Sequence, residues 1–125
     1  MLSEQAGVCA PHQVNKLYYV VVPEEMVAWM SQGGRPASVM MDGVPFPMVG
    51  YRREQITAVM DVGDYLGAKI GGLACHATQF DASSAVEEAQ QFLSSPLMRQ
   101  ETFILGRSTM GQPGAVETDL FAGLR

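Results

Sequence analysis

The sequence predicts an α/β fold, in which strands and helices alternate along the chain. Three observations support this class. Short runs rich in β-branched and aromatic residues are separated by segments in which apolar residues recur at helical spacing. Of the 125 residues, 47% are hydrophobic, which is enough for the core of one small domain. The first run is apolar almost without interruption, as in strands that are covered on both faces.

The first strand and the first helix are predicted from residues 16–30. Residues 16–23 read KLYYVVVP, a β-branched and aromatic run that ends at a proline, and we expect it to be buried on both faces. Pro23 and the two glutamates after it begin a helix, because proline fits the first turn and carboxylates stabilise the positive end of the helix dipole. The glycine pair at 33–34 ends this helix. Residues 35–51 contain three prolines and two glycines and are predicted to be mostly loop.

A second strand and two further helices are predicted next. Residues 55–62 (QITAVMDV) show the alternation of side chains that is typical of a strand. Asp61 can cap a helix that is predicted to run to about Phe80. A second, shorter helix is predicted between Ser83 and Leu93, with a serine as its cap.

The last part of the chain predicts one more strand and a tail. Residues 101–107 (ETFILGR) form the third predicted strand. Residues 108–125 are rich in glycine, threonine and small residues and are predicted to be a surface tail. About three strands and three helices make a thin sheet with few helices to cover it. The chain is therefore expected to be part of a larger α/β unit, or to need a partner chain.

Composition and charge exclude several classes of protein. The net charge of −5 argues against nucleic-acid binding, which needs a basic face. No apolar window of about 18 residues exists, so no membrane span is expected. The first residues lack the basic and apolar regions of a signal peptide. Cys9 and Cys75 lie far apart in the sequence, which favours a reducing cytoplasm over a disulfide scaffold.

The predicted helix after Asp61 carries one of the two histidines. At 100° per residue, Lys69 and His76 fall on its apolar stripe, and Gln79 lies off the edge of that stripe. The other members of the stripe are Val62, Leu66, Leu73 and Phe80. A histidine in this position needs a hydrogen-bond partner, and it can be a structural residue or part of a site. The chain has only two histidines and two cysteines, so a self-contained zinc centre is not expected.

The stretch ITAVMDVGDYLGAKIGGLACHATQF contains a strand ending in Asp-Val, then a helix with Tyr-Leu and Lys, and a late His-Ala-Thr-Gln. This combination resembles one enzyme family, the LmbE-like or GlcNAc-phosphatidylinositol de-N-acetylase (PIG-L) family of zinc-dependent deacetylases. Two further stretches, NKLYYVVVP and FLSSPLMRQETFILGR, resemble family strands and the region before the last strand. The ending ETDLFAGLR is similar to the ends of family members that act in mycothiol biosynthesis.

The resemblance implies a Rossmann-like fold and hydrolysis of an N-acetyl amide, with zinc activating a water and a carboxylate taking its proton. It assigns residues 1–107 to the C-terminal portion of such a domain and is best over 12–107. The family holds its zinc with His-Pro-Asp-Asp and His-x-x-His runs, and this sequence contains neither. The resemblance therefore implies a chain that completes the sheet and the sugar pocket without zinc or catalytic residues of its own. Lys69, His76 and Gln79 are the candidates for that pocket, with Gln79 bonding sugar hydroxyls and His76 orienting a neighbour.

Two other interpretations stay open from the sequence. The chain can be a non-catalytic binding or interaction module derived from this family, or a free-standing α/β domain of unrelated function. The expected partner of the complete enzyme is an N-acetylated amino sugar, with neither nucleic acid nor membrane involved. Self-association and pairing with a zinc-bearing partner half are both open.

Overall fold

Six strands and two helices lie in the part of the chain that the structure, a computed structural model, describes: residues 11–32, 34, 36–75 and 95–124. In chain order they are β1 Lys16–Pro23, α1 Glu24–Met30, β2 Ser38–Met41, β3 Val44–Pro47, β4 Gly50–Tyr51, β5 Ala58–Asp61, α2 Leu66–Ala74 and β6 Gln100–Ser108. The mixed α/β class predicted from the sequence is confirmed. The predicted helix at 83–93 lies outside the described residues.

The main sheet has four strands in the order β4-β1-β6-β5. β6 pairs antiparallel with both β1 and β5, and the short strand β4 pairs parallel with β1. The predicted strands at 16–23 and 101–107 are confirmed as β1 and β6. The predicted strand at 55–62 is shorter in the structure, because residues 53–55 form a tight turn in which the Gln55 amide donates to the Arg52 carbonyl at 2.9 Å.

The two faces of this sheet differ in what lies against them. Direct neighbours across the strands place Tyr18, Ala58 and Phe103 on one side, which we call the Phe103 face. The Tyr18 and Phe103 rings meet edge to face, with their centroids 6.3 Å apart. The same registers place Val21 and Thr102 on the opposite side, the Thr102 face. Buried apolar residues stabilise the sheet on both sides: Val21, Met26, Ile56, Ala58, Met98, Phe103 and Leu105.

The first strand is less covered than its sequence predicts. Val20 is 78% exposed and Tyr19 is 58% exposed, and β4 pairs with β1 only at Val22 and Pro23, so β1 is an edge strand at Tyr19 and Val20. The prediction that β1 is buried on both faces is therefore wrong for this chain. A run this apolar is typical of a strand that other layers cover, so part of β1 presents a surface on which more protein can pack.

A β-hairpin occupies most of the region that the sequence predicts to be loop. β2 and β3 pair antiparallel from Ser38 with Pro47 to Met41 with Val44. Asp42 and Gly43 form the two-residue turn with positive φ angles of 51° and 78°. Asp-Gly is the strongest local sequence signal for a two-residue hairpin turn with positive φ angles. The prediction of a loop followed from the prolines of this region and overlooked that signal.

The first helix begins as the sequence predicts, whereas a short turn at Gly63–Tyr65 precedes α2, which starts at Leu66. α1 starts directly after Pro23, and the Ser31 hydroxyl donates to the Val27 carbonyl at 2.8 Å where the helix ends. The Asp61 carboxylate accepts a hydrogen bond from the Gly63 amide at 2.8 Å, but the N-cap position of this turn is Val62, which makes no side-chain cap bond, so the predicted cap by Asp61 is wrong. The described part of α2 ends at Ala74, and the predicted continuation to Phe80 lies outside the described residues.

The segment after β6, predicted as a surface tail, is mostly exposed but is held to the sheet. The Glu117 amide donates to the Thr57 carbonyl at 2.9 Å, and the Glu117 carbonyl accepts from the Val59 amide at 2.9 Å. Glu117 thus lies beside Ala58 as a one-residue parallel extension of the sheet. This position brings its side chain onto the Phe103 face, because neighbouring residues of adjacent strands share a face.

Candidate functional site

Lys69 is the one predicted pocket residue within the described part of the chain. It lies on α2, and its ammonium nitrogen is 3.1 Å from a carboxylate oxygen of Glu101 on β6. Both side chains are part-exposed, at 28% and 43%. Glu101 alternates with Thr102 along β6, so the ion pair belongs to the Phe103 face. The pair holds the Lys69 ammonium at the sheet surface, and its role in a sugar pocket stays a prediction.

His76 and Gln79, the other two predicted pocket residues, lie outside the described residues. The last described residue before them is Cys75, whose amide donates to the Gly71 carbonyl at 3.3 Å and so continues the turn at the end of α2. The assignment of His76 and Gln79 to a pocket therefore stays a prediction from the sequence.

A buried charged cluster, which sequence reasoning missed, joins the two ends of the described chain. The ammonium of Lys16 and the hydroxyl of Tyr18 donate to the two carboxylate oxygens of Glu117. The side chains of Lys16 and Glu117 are only 7% and 8% exposed. The residues are about a hundred positions apart in the chain, so no local spacing signals their contact.

The cluster shifts the pKa of all three groups. The hydrogen bond to Glu117 outweighs burial and raises the pKa of Lys16 above its ordinary value of 10.5. Burial, followed by the contact with Glu117, raises the pKa of the Tyr18 phenol. Burial opposes the charge of Glu117, but the hydrogen bonds from Lys16 and Tyr18 together outweigh it and hold the pKa of this carboxyl below 4.5.

These shifts suit a structural role for the cluster better than an acid–base role. A general base works best with a pKa near the working pH, whereas Glu117 is made a weaker base and both of its oxygens already accept hydrogen bonds. The cluster fixes the segment around Glu117 to β1 across the Phe103 face. We therefore assign it to positioning and not to chemistry.

A cavity of about 230 Å³ lies on the Thr102 face. Its walls are mostly apolar, and its polar lining residues are Arg53, Gln100 and Thr102. The Arg53 guanidinium already donates to Glu25 at 2.7 Å, and the Thr102 hydroxyl donates to the Val21 carbonyl at 2.7 Å. Pockets for drug-sized ligands usually measure about 300–1,000 Å³. The cavity is therefore too small to form a complete sugar pocket by itself.

The described residues do not fit a zinc site. Among them, no group of three or more His, Cys, Asp or Glu side chains is placed to hold a metal ion. Zinc in proteins needs three or four such ligands around one point. No step of metal chemistry can be assigned to this part of the chain, and the expectation that the chain binds no zinc stays a prediction. Neither of the two described helices is long and apolar enough to cross a membrane.

These features define the chain as a mixed α/β protein built on a four-stranded sheet, compatible with part of a Rossmann-like fold.

Comparison with known proteins gives its relatives. It is 35% identical to the 1D-myo-inositol 2-acetamido-2-deoxy-α-D-glucopyranoside deacetylase of Streptomyces griseus, over 94% of this chain and 38% of that protein. The identity to the same-named deacetylase of Kineococcus radiotolerans is 32%, over 98% of this chain and 37% of the relative. The identity to the same-named deacetylase of Mycobacteroides abscessus is also 32%, over 92% of this chain and 42% of the relative.

Over most of its own length the chain is therefore homologous to these curated deacetylases, and the resemblance to LmbE-like proteins is confirmed. It spans about two fifths of the length of the curated relatives it matches. No family model matches the chain. No solved structure matches it.

Proposed function

We propose that this chain forms the C-terminal portion of a zinc-dependent N-acetylglucosaminyl-inositol deacetylase, where it completes the sheet and one wall of the sugar pocket. The observation that carries the proposal is the extent of the similarity, which covers 94% of this chain but 38% of the Streptomyces griseus enzyme. The exposed side chains of Tyr19 and Val20 support it, because they leave apolar surface of β1 for further layers.

The zinc ligands of the active enzyme are proposed to lie outside these 125 residues. The sequence has neither of the two histidine-containing runs by which the family holds zinc, and its two histidines, His12 and His76, stand 64 positions apart. The described part of the chain adds no cluster of candidate ligands. What this chain contributes is therefore shape and hydrogen bonding around the sugar.

The helix that begins with α2 is proposed to supply these contacts. Lys69 is oriented by its ion pair with Glu101 and can donate to a sugar hydroxyl. The amide of Gln79 can donate to and accept from hydroxyl groups, which suits a sugar ring. His76 is proposed to orient a neighbouring group through its second ring nitrogen.

The chain by itself is expected neither to hold zinc nor to hydrolyse an N-acetyl sugar. The test is metal analysis of the purified chain, together with an assay for amine release from N-acetylglucosaminyl-inositol in the presence of added zinc. We expect no stoichiometric zinc and no release above background. One zinc per chain, with amine release that a chelator abolishes, would refute the proposal.

The second candidate is a non-catalytic binding module of the same family, and the absence of both zinc-binding runs from the sequence favours it. The two functions differ in what the chain does with the sugar alone. A module binds N-acetylglucosaminyl-inositol without help, which calorimetric titration of the chain detects. A pocket wall binds it weakly or not at all until the rest of the enzyme is present.

A further inference from the structure

The β2–β3 hairpin projects its apolar side chains into solvent. All eight strand residues are exposed, and five large apolar side chains are more than half exposed: Val39, Met40, Met41, Val44 and Phe46. No other strand of the described chain pairs with this hairpin. A lone two-stranded hairpin is marginally stable in water, and an exposed apolar patch of this kind marks an interaction surface.

The hydrogen-bond register shows which backbone groups point away from the hairpin. The Met48 amide donates to the Ala37 carbonyl at 2.9 Å, so residues 37 and 48 are a hydrogen-bonded pair. Bonded and non-bonded pairs alternate along an antiparallel ladder. The pairs Met40 with Pro45 and Ser38 with Pro47 are therefore non-bonded, and their backbone groups face outward.

The two outer edges of the hairpin are consequently unequal. On β3 both outward positions are prolines, Pro45 and Pro47, which have no N–H to donate. On β2 the outward positions are Ser38 and Met40, and each offers an N–H and a carbonyl. One edge is closed to strand addition and the other is open to it.

We infer that a second copy of this chain occupies the open edge, with β2 pairing antiparallel to β2 of the other copy about a twofold axis at Val39. In this register Ser38 of one copy is opposite Met40 of the other. Each of these pairs exchanges two hydrogen bonds, so the four outward donors and acceptors are matched by the same residues on the partner. The product is a four-stranded sheet with proline-blocked outer edges, which closes the assembly at two copies.

Charge and side chains are compatible with this dimer. The hairpin carries a single charge, at Asp42 in the turn, and antiparallel pairing places the two Asp42 carboxylates at opposite ends. Val39 and Phe46 are direct cross-strand neighbours and share a face. The twofold axis sets Val39 beside its copy, so an apolar strip runs from one Phe46 across both valines to the other Phe46.

The test is sedimentation of the full 125-residue chain over a concentration series, with three variants. The wild-type chain is expected to dimerise reversibly. Met40→Pro removes an outward donor from each copy, and Val39→Lys sets like charges together at the axis, so each is expected to weaken the dimer at least about tenfold. Pro45→Ala returns a donor to the closed edge and is expected to give species larger than the dimer.

Three results would overturn the inference. The first is a monomeric wild-type chain at every concentration. The second is a dimer that neither Met40→Pro nor Val39→Lys weakens, with circular dichroism confirming that both variants are folded. The third is that the Val39→Lys variant no longer associates with the remaining part of a related deacetylase. That part, and not a second copy of this chain, would then cover the hairpin. The proposed deacetylase function survives each of these results.

Discussion

At the scale of single residues, the contact of Lys16 and Tyr18 with Glu117 is the most informative feature. Removing one member of an ion pair whose side chains are only 7% and 8% exposed leaves the other charge without its partner, so such pairs are sensitive to substitution. The sequence shows Lys16 and Tyr18 at alternate positions of a strand and Glu117 in a glycine-rich segment. Their meeting depends on where that segment joins the sheet, which no local pattern encodes.

Glu117→Gln is expected to lower the melting temperature of the chain by about 5 °C or more at neutral pH. The folded pKa of Glu117 lies below 4.5, so the ionised carboxyl stabilises the fold above pH 4.5, and this stability is lost as the pH falls through the lower folded value. The raised pKa of Lys16 acts at the alkaline end. The charged Lys16 contributes fully to the free energy of unfolding below pH 10.5, and this contribution is lost as the pH rises through the higher folded pKa.

The measurement is thermal unfolding of both chains between acid and neutral pH. The gap between wild type and Glu117→Gln is expected to close as the solution becomes acid. Glu25→Gln is the comparison, because the pKa of Glu25 is lowered too, by a backbone hydrogen bond and by Arg53, but the Glu25–Arg53 pair is 41% and 65% exposed, so a smaller gap is expected. A gap that is the same at every pH, or an equal effect of both variants, would contradict a buried ionic role for Glu117.

At the scale of elements, β1, α1, β6 and the first part of α2 could be predicted, because each is specified by a local signal. β1 and β6 contain the apolar runs LYYVVV and TFIL, α1 has Pro23 in its N-cap position, and Asp61 accepts a hydrogen bond from Gly63 just before α2. The hairpin was missed although Asp42 and Gly43 have the turn chemistry it needs. Prolines in β3 argue against an inner strand, and they are tolerated here because they lie on the outward edge.

Two glycines are expected to respond in opposite ways to substitution by alanine. A Cβ on Gly50 would lie 2.6 Å from the Cα of Glu24, so Gly50→Ala forces β4 away from α1 and should cost about 1–3 kcal/mol. A Cβ on Gly67 in α2 meets nothing within 4 Å, so Gly67→Ala should stabilise the chain by about 1 kcal/mol.

Urea unfolding of the two variants beside wild type measures both changes. Both variants replace glycine by alanine, so Gly67→Ala is the control that shows the effect of an added methyl group where no neighbouring atom is in the way. Destabilisation by Gly67→Ala would show that α2 needs the glycine for contacts beyond those of the described residues.

At the scale of the whole molecule, the fold class follows from the order of strands and helices, whereas the strand order does not. The position of β1 between β4 and β6 depends on long-range pairing, which periodicity does not report. The candidate site was predicted less fully than the fold. Lys69 lies against β6 through Glu101, and the roles of His76 and Gln79 still rest on the resemblance alone.

Val20→Glu is expected to leave the isolated chain folded and to prevent its assembly with the rest of a deacetylase. Val20 is 78% exposed, so a charge there loses little burial in this chain, with a melting temperature within about 2 °C of wild type. In a complete fold the same carboxylate would be buried without a partner. Met110→Glu, at a position 55% exposed in the last segment, is the control and should assemble normally. Normal assembly of Val20→Glu, detected by co-purification, would show that the exposed part of β1 is not an internal interface.

The most direct test of the proposed function is reconstitution of deacetylase activity. The part of the Streptomyces griseus enzyme outside the region similar to this chain is produced separately, mixed with this chain and zinc, and assayed for amine release from N-acetylglucosaminyl-inositol. The matching piece of the Streptomyces griseus enzyme is the positive control. We predict activity only from the combination, reduced at least about tenfold by His76→Ala or Gln79→Ala and unchanged by His12→Ala. Activity from the control pair but none from the pair with this chain, or zinc-dependent activity from this chain alone, would contradict it.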